Sequence, residues 1–169
     1  RQRQMCIRDS GDRIEVSGQL HGIVDNIGFR STVIKSFDTA PMIIPNKDLS
    51  DVKVINHGEM ENRRINWKIN LLYSTSVEQL EKIRDEIKEY IINSKDFSSD
   101  PGLEPVVRVV ELGSSSIDML IVAYSDPVGF VAFNKIKEDL IFNIMGIIKS
   151  NNSDFAYPST SLYVESMPK

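Results

Sequence analysis

The sequence predicts an α+β fold in which a small β-barrel precedes a second domain of strands and helices. From Gly11 to about Asn56 the chain contains only short β-branched runs separated by turn residues. A polar stretch follows from His57 to Arg64. Beyond it, an alternating segment and two segments of helical periodicity produce the order strand, helix, strand, strand, helix, strand. We therefore expect one domain over residues 11–60 and another over 61–169.

Short strands with close turns characterise the first domain. A small sheet hides its edges by curling onto itself, so these strands favour an Sm-like or SH3-like barrel. Pro45 fixes the backbone and Asn46 can cap a turn, so we interpret Ile44-Pro45-Asn46 as an architectural step. The predicted strands are Ile14 to Val16, Gly22 to Ile27, Thr32 to Ser36, Met42 to Ile44 and Val52 to Ile55.

The second domain begins with a half-buried strand and an amphipathic helix. The apolar residues Ile65, Trp67, Ile69 and Leu71 alternate with polar ones, which is typical of a strand with one buried face. Two overlapping capping-box registers follow, Thr75 with Glu78 and Ser76 with Gln79. The buried stripe of this helix is predicted to comprise Val77, Leu80, Ile83, Ile87 and Ile91.

A hairpin, a second helix and a last strand complete a ferredoxin-like βαββαβ order, with two helices on one face of a four-stranded sheet. The hairpin strands are predicted at Val106 to Leu112 and Ile117 to Tyr124, and the last strand at Ser161 to Glu165. Asp126 is expected to cap the helix, with Pro127 as its first residue. The predicted helix stripe is Phe133, Ile136, Leu140, Ile144, Ile147 and Ile148, and Asn151 and Asn152 are expected to stop the helix.

Composition excludes several classes of function. The formal net charge of −4 argues against a nucleic-acid partner, which requires a basic surface. No apolar run reaches the roughly 18 residues that a membrane span requires. The only cysteine is Cys6, so one chain can form neither an internal disulfide nor a thiolate zinc cluster, which suits the cytosol. Arg1 to Ser10 share no periodicity with the rest, and we interpret them as a translated sequencing adaptor or cloning scar.

No pattern in the sequence predicts a catalytic, cofactor or metal site, and we do not expect an enzyme. His21 and His57 are isolated, without cysteine or carboxylate at metal-ligand spacing, so a surface or hydrogen-bonding role is expected for both. Serine–histidine–aspartate arrangements and phosphate-binding glycine loops are lacking from the sequence. Gly18, Gly22 and Gly28 are predicted to lie at tight turns or bulges.

A set of glycine, proline and polar residues follows a distinctive order along the chain: Gly11, Asp12, Gly22, Arg30, Thr32, Pro45, Asn46, Gly113 and Pro158. Single steps such as Gly-Asp or Ile-Pro-Asn occur widely by chance, whereas their order over some 150 residues does not. From Gly11 to about Val164 this order resembles the small-conductance mechanosensitive ion channel family, of the MscS type. We treat these signature residues as structural rather than catalytic.

The resemblance implies the C-terminal, cytoplasmic region of a channel subunit that protects cells against osmotic stress. It implies a ring of seven identical subunits in the inner membrane, with the β-domain beneath the pore. The second domain would form a hollow, side-perforated vestibule for passing ions, and the last strand a small closing barrel. Family members carry membrane helices before the Gly11-Asp12 step, which this chain lacks, so pore and tension sensing are expected elsewhere.

Three alternatives compete with this interpretation. Val24 to Arg30 resembles the phosphate-binding loop of acylphosphatases, although Asn26 replaces a loop glycine and Asp25 adds a negative charge beside the anion. Gly129 to Phe133 mimics an aromatic strand motif of RNA-recognition domains. An acidic ferredoxin-like binding module is the third. Hydrolysis of acyl phosphates that Arg30→Ala abolishes would support the first.

Overall fold

A computed structural model describes residues 9–18, 20–126 and 129–157. It has a mixed α/β architecture with two antiparallel sheets, and the chain divides into two compact units between Glu61 and Asn62. The predicted residues Pro127, Pro158 and Ser161 to Glu165 lie outside the described residues, as does most of the adaptor-like start. Each unit is described separately below.

The first unit is a five-stranded antiparallel sheet in the order β4-β3-β2-β1-β5. All five predicted strands are confirmed, with ends that shift by a few residues. A short helix, α1, was not predicted, because its sequence Asn-Lys-Asp-Leu-Ser-Asp holds a single apolar residue and so has no stripe. The elements are β1 (Arg13–Val16), β2 (Leu20–Ile27), β3 (Ser31–Lys35), β4 (Pro41–Pro45), α1 (Asn46–Asp51) and β5 (Val54–Asn56).

Alternation along the strands builds the core of the first unit. Ile14, Val24 and Ile34 are buried on one face of the sheet, and Leu49 of α1 joins them. Gly22 lies among them, where a Cβ atom would stand 2.5 Å from both Ile34 Cγ2 and the Lys35 carbonyl oxygen. The close approach of β2 and β3 therefore requires glycine at this position.

The second unit combines a three-stranded antiparallel sheet, in the order β6-β8-β7, with two helices. The predicted first strand, both helices and the hairpin are confirmed. Phe155 forms an antiparallel bridge to Leu71, and the Ala156 N–H donates to the Asn70 carbonyl at 2.9 Å, so the chain returns beside β6. The elements are β6 (Arg63–Leu71), α2 (Val77–Asn93), β7 (Val106–Leu112), β8 (Ile117–Ser125) and α3 (Phe130–Ser150).

The structure selects one of the two capping registers for α2. Ser76 is the N-cap, and its hydroxyl and the Gln79 side chain bond reciprocally to each other's backbone N–H. Thr75 is instead buried, with its hydroxyl 2.8 Å from that of Ser153. The contact between Thr75 and Ser153, which follows α3, thus decides between two capping registers that are equivalent in local sequence.

Two predicted boundaries are wrong. Asp126 does not cap α3, which begins at Phe130 with Gly129 as its N-cap. The Asp126 backbone N–H donates to the Asp96 carbonyl and its carboxylate accepts from Asn62, so these contacts hold it at the end of β8. The predicted linker from His57 to Arg64 is also too long, because β6 already begins at Arg63 to match the full length of β8.

The core of the second unit lies between the sheet and the two helices. The predicted stripes are confirmed except at Val77, the first residue of α2, which is 72% exposed. Three isoleucines of α2 and four residues of α3 are buried, while Leu80, Phe133 and Ile147 are partly buried. Trp67, expected in the core or an interface, packs partly buried against this core, with the Lys137 ammonium 5.8 Å from its ring. The buried helix residues are Ile83, Ile87, Ile91, Ile136, Leu140, Ile144 and Ile148.

Candidate functional site

Asn46 holds the tip of the β2–β3 hairpin in place. Its amide Nδ2 donates to the carbonyl oxygens of Gly28 at 2.9 Å and Phe29 at 3.2 Å. Its Oδ1 accepts from the buried hydroxyl of Thr32 at 2.8 Å, and its backbone N–H donates to the Arg30 carbonyl at 2.9 Å. We call these residues the hairpin clamp. Pro45 ends β4 immediately before it and fixes where Asn46 begins α1.

The hairpin clamp presents two side chains to solvent. Phe29 is 99% exposed, and Arg30 is exposed without a side-chain hydrogen bond or ion pair to any described residue. Aromatic and arginine side chains are enriched where proteins bind one another, because they supply contact area and directional donors. A tip whose backbone carbonyls are already hydrogen-bonded by Asn46 loses less conformational entropy on contact than a loop without such bonds. This arrangement suits recognition of a partner better than chemistry.

Gly11 and Asp12 attach the incoming chain to the first unit. The Gly11 N–H donates to the Val24 carbonyl at 2.7 Å, and the Val24 N–H donates to the Asp12 carbonyl at 2.8 Å. The Asp12 carboxylate also accepts from the Asn56 side chain at 2.8 Å. Gly11 has a φ of 101°, which favours glycine. These bonds join the start of the unit to its last strand.

The predicted signature residues do not converge on one site. Those of the first unit fall into the hairpin clamp, the Gly11–Asp12 attachment and the Gly22 contact in the core. Gly113 lies in the β7–β8 turn, where its N–H donates to the Ser116 carbonyl at 2.7 Å and its own carbonyl accepts from the Tyr73 hydroxyl. The contacts described for these residues are hydrogen bonds and close packing within each unit, and the structural role expected for the signature stays a prediction.

A polar network that the sequence did not single out lies on one face of the second sheet. Asp118 is 5% exposed, and its carboxylate accepts from Lys68 Nζ at 2.8 Å, Asn70 Nδ2 at 2.7 Å and Ser116 Oγ at 2.7 Å. Lys68 also pairs with Glu111 at 2.6 Å. We call these five residues the Asp118 network. One feature of the sequence could have pointed to this network: the alternation along β6 places Lys68 and Asn70 on the same face of the sheet.

Both ionisable partners at the centre of the Asp118 network stay charged near neutral pH. Hydrogen bonds to Asp118, and next to Glu111, raise the pKa of Lys68 to about 12. The hydrogen bond from Lys68, followed by that from Ser116, lowers the pKa of the Asp118 carboxyl below its ordinary value. A general acid or base needs a pKa near the working pH. The network is therefore structural and gives no support to acid–base catalysis.

The two histidines are not isolated in the folded chain. Glu15 Oε2 lies 3.1 Å from His57 Nε2 and 3.7 Å from His21 Nδ1. His21 is the direct cross-strand partner of Glu15, and His57 follows β5, which pairs with β1 on its other side. The hydrogen-bonding role expected for His57 is confirmed. Its partner, Glu15, could be identified only from the pairing of β1 with β5. Among the described residues, no three His, Cys, Asp or Glu side chains form a metal site.

The structure does not form the motifs behind two alternative functions. The acylphosphatase-like segment runs as strand β2 up to Ile27, and the Gly28 N–H donates to the Ser31 carbonyl at 2.8 Å, so this amide cannot cradle an anion. The RNA-recognition-like segment is the N-cap and first turn of α3 rather than a strand. Neither resemblance in sequence corresponds to the backbone that its chemistry requires.

The comparison with protein families matches both units in order. Residues 8–59 match the family described as "Mechanosensitive ion channel, beta-domain". Residues 65–155 match "Mechanosensitive ion channel MscS, C-terminal". The two matched ranges cover most of the chain and fall on either side of the boundary between the two units.

Similar curated proteins carry MscS or channel names. An uncharacterized MscS family protein of Aquifex aeolicus is 37% identical over 159 residues, which are 94% of this chain and 42% of that protein. The low conductance mechanosensitive channel YnaI of Escherichia coli is 28% identical over 148 residues, 88% of this chain and 42% of that protein. The chain thus spans less than half the length of these two relatives.

Solved structures share the fold. The crystal structure of Helicobacter pylori MscS in its closed state has a TM-score of 0.78 at 23% identity, covering 96% of this chain and 61% of that one. The cryo-EM structure of Arabidopsis thaliana MSL1 has a TM-score of 0.82 at 19% identity, covering 93% and 55%. None of the helices in the described ranges is long and apolar enough to cross a bilayer. The chain belongs to the MscS family of mechanosensitive ion channels.

Proposed function

We propose that this chain is the cytoplasmic vestibule portion of a mechanosensitive channel subunit, which acts in ion transport and osmotic protection. The main support is that two successive parts of the chain match two successive channel domains, the β-domain and the MscS C-terminal domain. The membrane helices that form the pore would belong to the remainder of the longer polypeptide. The intact protein would reside in the inner membrane with this region on the cytoplasmic side.

The charged residues on the surface of the second unit support its assignment to a vestibule wall that is in contact with water and ions. The face of the second sheet opposite its helices carries the Asp118 network, in which the fixed charges of Lys68, Glu111 and Asp118 are held by short hydrogen bonds. Fixed charges around an aqueous path bias which ions approach it. The net charge of −4 would be summed over every subunit of an assembly.

We assign the first unit to the Sm-like barrel class and the second to the ferredoxin-like class, over residues 11–60 and 61–169. The order β6-β8-β7 is that of the first, third and second strands of a ferredoxin-like sheet. Phe155 and Ala156 pair beside β6, which is the position of the fourth strand. For the first unit, five short antiparallel strands around one core support the barrel class.

Self-association into a homoheptamer is part of the proposal. Phe29, at 99% exposure, and Ile43, at 71%, are large apolar side chains that a solitary unit leaves in water. Burial against a neighbouring copy would remove them from solvent. Native mass spectrometry of the chain tests this point: a seven-copy species supports it, and a monomer at every concentration contradicts it.

A chimaera tests the channel function directly. Residues 11–157 replace the aligned segment of E. coli YnaI, and tension-activated currents are recorded in patches of cells that lack other mechanosensitive channels. We expect current under tension and survival of hypo-osmotic shock. The matched control is the same chimaera with Gly22→Val, which should lose both because the β2–β3 contact cannot form.

An inactive chimaera that reaches the membrane in normal amounts, in the assembly state of YnaI, would contradict the proposed function. An activity in hydrolysis of acyl phosphates, lost in Arg30→Ala, would favour the acylphosphatase alternative instead. The channel assay uses the chimaera in cell patches and the hydrolysis assay uses the purified chain, so their outcomes separate the competing functions.

A further inference from the structure

A cavity in the second unit lies apart from the Asp118 network. It has a volume of about 290 Å³ and lies between the last turns of α2 and the segment that leads into β7. This volume is just below the roughly 300 Å³ at which the usual range for small-molecule sites begins, so only a small ligand fits. Ile91, Ile92 and Pro105 supply apolar lining, and Ile92 is 56% exposed.

Three charged side chains line the same cavity without partners. Lys88 stands on α2, and Asp100 and Glu104 stand on the segment before β7. None of the three side chains forms a hydrogen bond or ion pair with a described residue, although opposite charges line one cavity. The charge of Lys88 helps to lower the pKa of the neighbouring Asp85 without a hydrogen bond between them. Asp85 accepts its hydrogen bonds from Arg84 instead. Their hydrogen-bonding capacity is open to a ligand.

The charge pattern specifies the ligand. Two carboxylates and one ammonium complement a molecule with two cationic groups and one carboxylate. The C-terminal end of α2 at Asn93, whose carbonyls carry partial negative charge, adds to the preference for cations. The apolar lining between the charges suits an aliphatic stem.

We propose that this cavity binds a basic α-amino acid, with its two cationic groups at Asp100 and Glu104, its carboxylate at Lys88 and its stem on Ile92 and Pro105. The inference is independent of the channel function, since it concerns a site within one unit of one chain. It assigns a ligand class to residues that otherwise read as an exposed charged rim.

The test uses the whole chain and L-lysine as the probe. Isothermal titration calorimetry measures affinity, and the δ1 methyl signals of Ile91 and Ile92 report occupancy, with Ile14 of the first unit as an internal reference. We expect saturable shifts at the first two only. Norleucine lacks the second ammonium and cadaverine lacks the carboxylate, so each should bind about tenfold more weakly, as for the loss of one charge-assisted hydrogen bond.

The variants sharpen the assignment. Asp100→Asn and Glu104→Gln should each weaken L-lysine binding about tenfold. Lys88→Gln should weaken L-lysine but not cadaverine, because cadaverine has no carboxylate and the Lys88 ammonium repels its two cationic groups. Glu89→Gln is the control, since Glu89 is a charge on the same helix outside this cavity and should change nothing.

Three results would overturn the proposal. One is the absence of a saturable shift at Ile92 up to the solubility of L-lysine. Another is equal affinity for L-lysine, norleucine and cadaverine, which would indicate nonspecific contact. The third is an unchanged affinity in both Asp100→Asn and Glu104→Gln, with the fold of each variant verified by the Trp67 fluorescence spectrum.

Discussion

The two units are stabilised in different ways. Among the described residues, the core cluster of the first unit holds five buried apolar residues, whereas that of the second holds fourteen. The smaller unit depends in addition on hydrogen bonds of polar side chains, notably from Asn46 to the Gly28 carbonyl and from Asn56 to the Asp12 carboxylate. A small domain buries too little apolar surface to tolerate loose connections, so individual polar bonds and one tight glycine contact weigh more there.

The aromatic residues allow the two units to be followed separately. The single tryptophan, Trp67, and all five tyrosines lie beyond residue 61 in the sequence. Fluorescence therefore reports the second unit alone, and hydrogen exchange of amides in β1–β4 reports the first. Each substitution below should affect its own unit, and the effects are ordered from the largest to the smallest.

Leu140→Ala should destabilise the second unit by about 4 kcal/mol. Leu140 is fully buried in α3, and its truncation loses transfer free energy and leaves a cavity. Urea unfolding followed by Trp67 fluorescence measures the change. Ile141→Ala is the neighbouring control, because Ile141 is 42% exposed and should cost much less. Equal costs for the two variants would contradict the described core.

Gly22→Val should destabilise the first unit by about 3 kcal/mol, because the new side chain meets the Lys35 backbone, which cannot move aside. Faster hydrogen exchange in β2 and β3, with unchanged Trp67 fluorescence, is the expected result.

Gly146→Ala is the control for that substitution. Gly146 lies in the interior of α3 with open space around its Cα, so alanine should stabilise the second unit by about 1 kcal/mol. Protection of β2 and β3 that stays at the wild-type level in Gly22→Val would show that the strands do not approach as described.

Asn46→Ala should destabilise the first unit by about 2 kcal/mol, because it leaves the buried Thr32 hydroxyl without its acceptor and the hairpin tip without two donors. Asn46→Asp retains an acceptor for Thr32 but sets a carboxylate oxygen against the carbonyl oxygens of Gly28 and Phe29. Hydrogen exchange around Ser31 should therefore rise in Asn46→Asp as well as in Asn46→Ala. Exchange at the wild-type rate in both variants would contradict the hairpin clamp.

Ser76→Ala should destabilise the second unit by about 1 kcal/mol through loss of the N-cap of α2. Ser76→Thr retains a capping hydroxyl and should stay close to wild type. Urea midpoints from Trp67 fluorescence separate the variants, and a capping role for Thr75 instead would be indicated if neither substitution changed the midpoint.

The Asp118 network should produce a pH dependence confined to the second unit. Because the folded-state pKa of Asp118 lies below its ordinary value of 3.8, its stabilisation is present above that pH and is lost as the pH falls further. Lys68, with a pKa raised from 10.5 to about 12, loses its contribution only as the pH rises through that value. Tm measured by Trp67 fluorescence should fall more steeply toward about pH 3 in the wild type than in Asp118→Asn. Equal slopes would contradict the ion pair.

The spacing of apolar residues predicted which faces of the helices and strands are buried. The isoleucine spacing in α2 and α3 identified the buried stripes, because a helix needs one apolar face to pack on a sheet. The alternation of Ile65, Trp67, Ile69 and Leu71 likewise identified β6 and its buried face. The helix caps could not be predicted in the same way. Thr75 and Ser76 offer equal local chemistry at the start of α2, and the contact of Thr75 with Ser153 decides between them. Asp126 could cap a helix by its chemistry, but its bond with Asn62 holds it at the end of β8.

The amino-acid sequence by itself determined the family, the order of the described elements apart from α1, and most of the buried faces, because each depends on residue spacing along a continuous stretch. Only the tertiary structure decided that Asn46 reaches the hairpin tip, that Glu15 lies between two histidines, and that Asp118 collects three donors. Those contacts join residues that are distant in the chain but adjacent across strands, and strand register is set by packing of the whole sheet rather than by any local pattern.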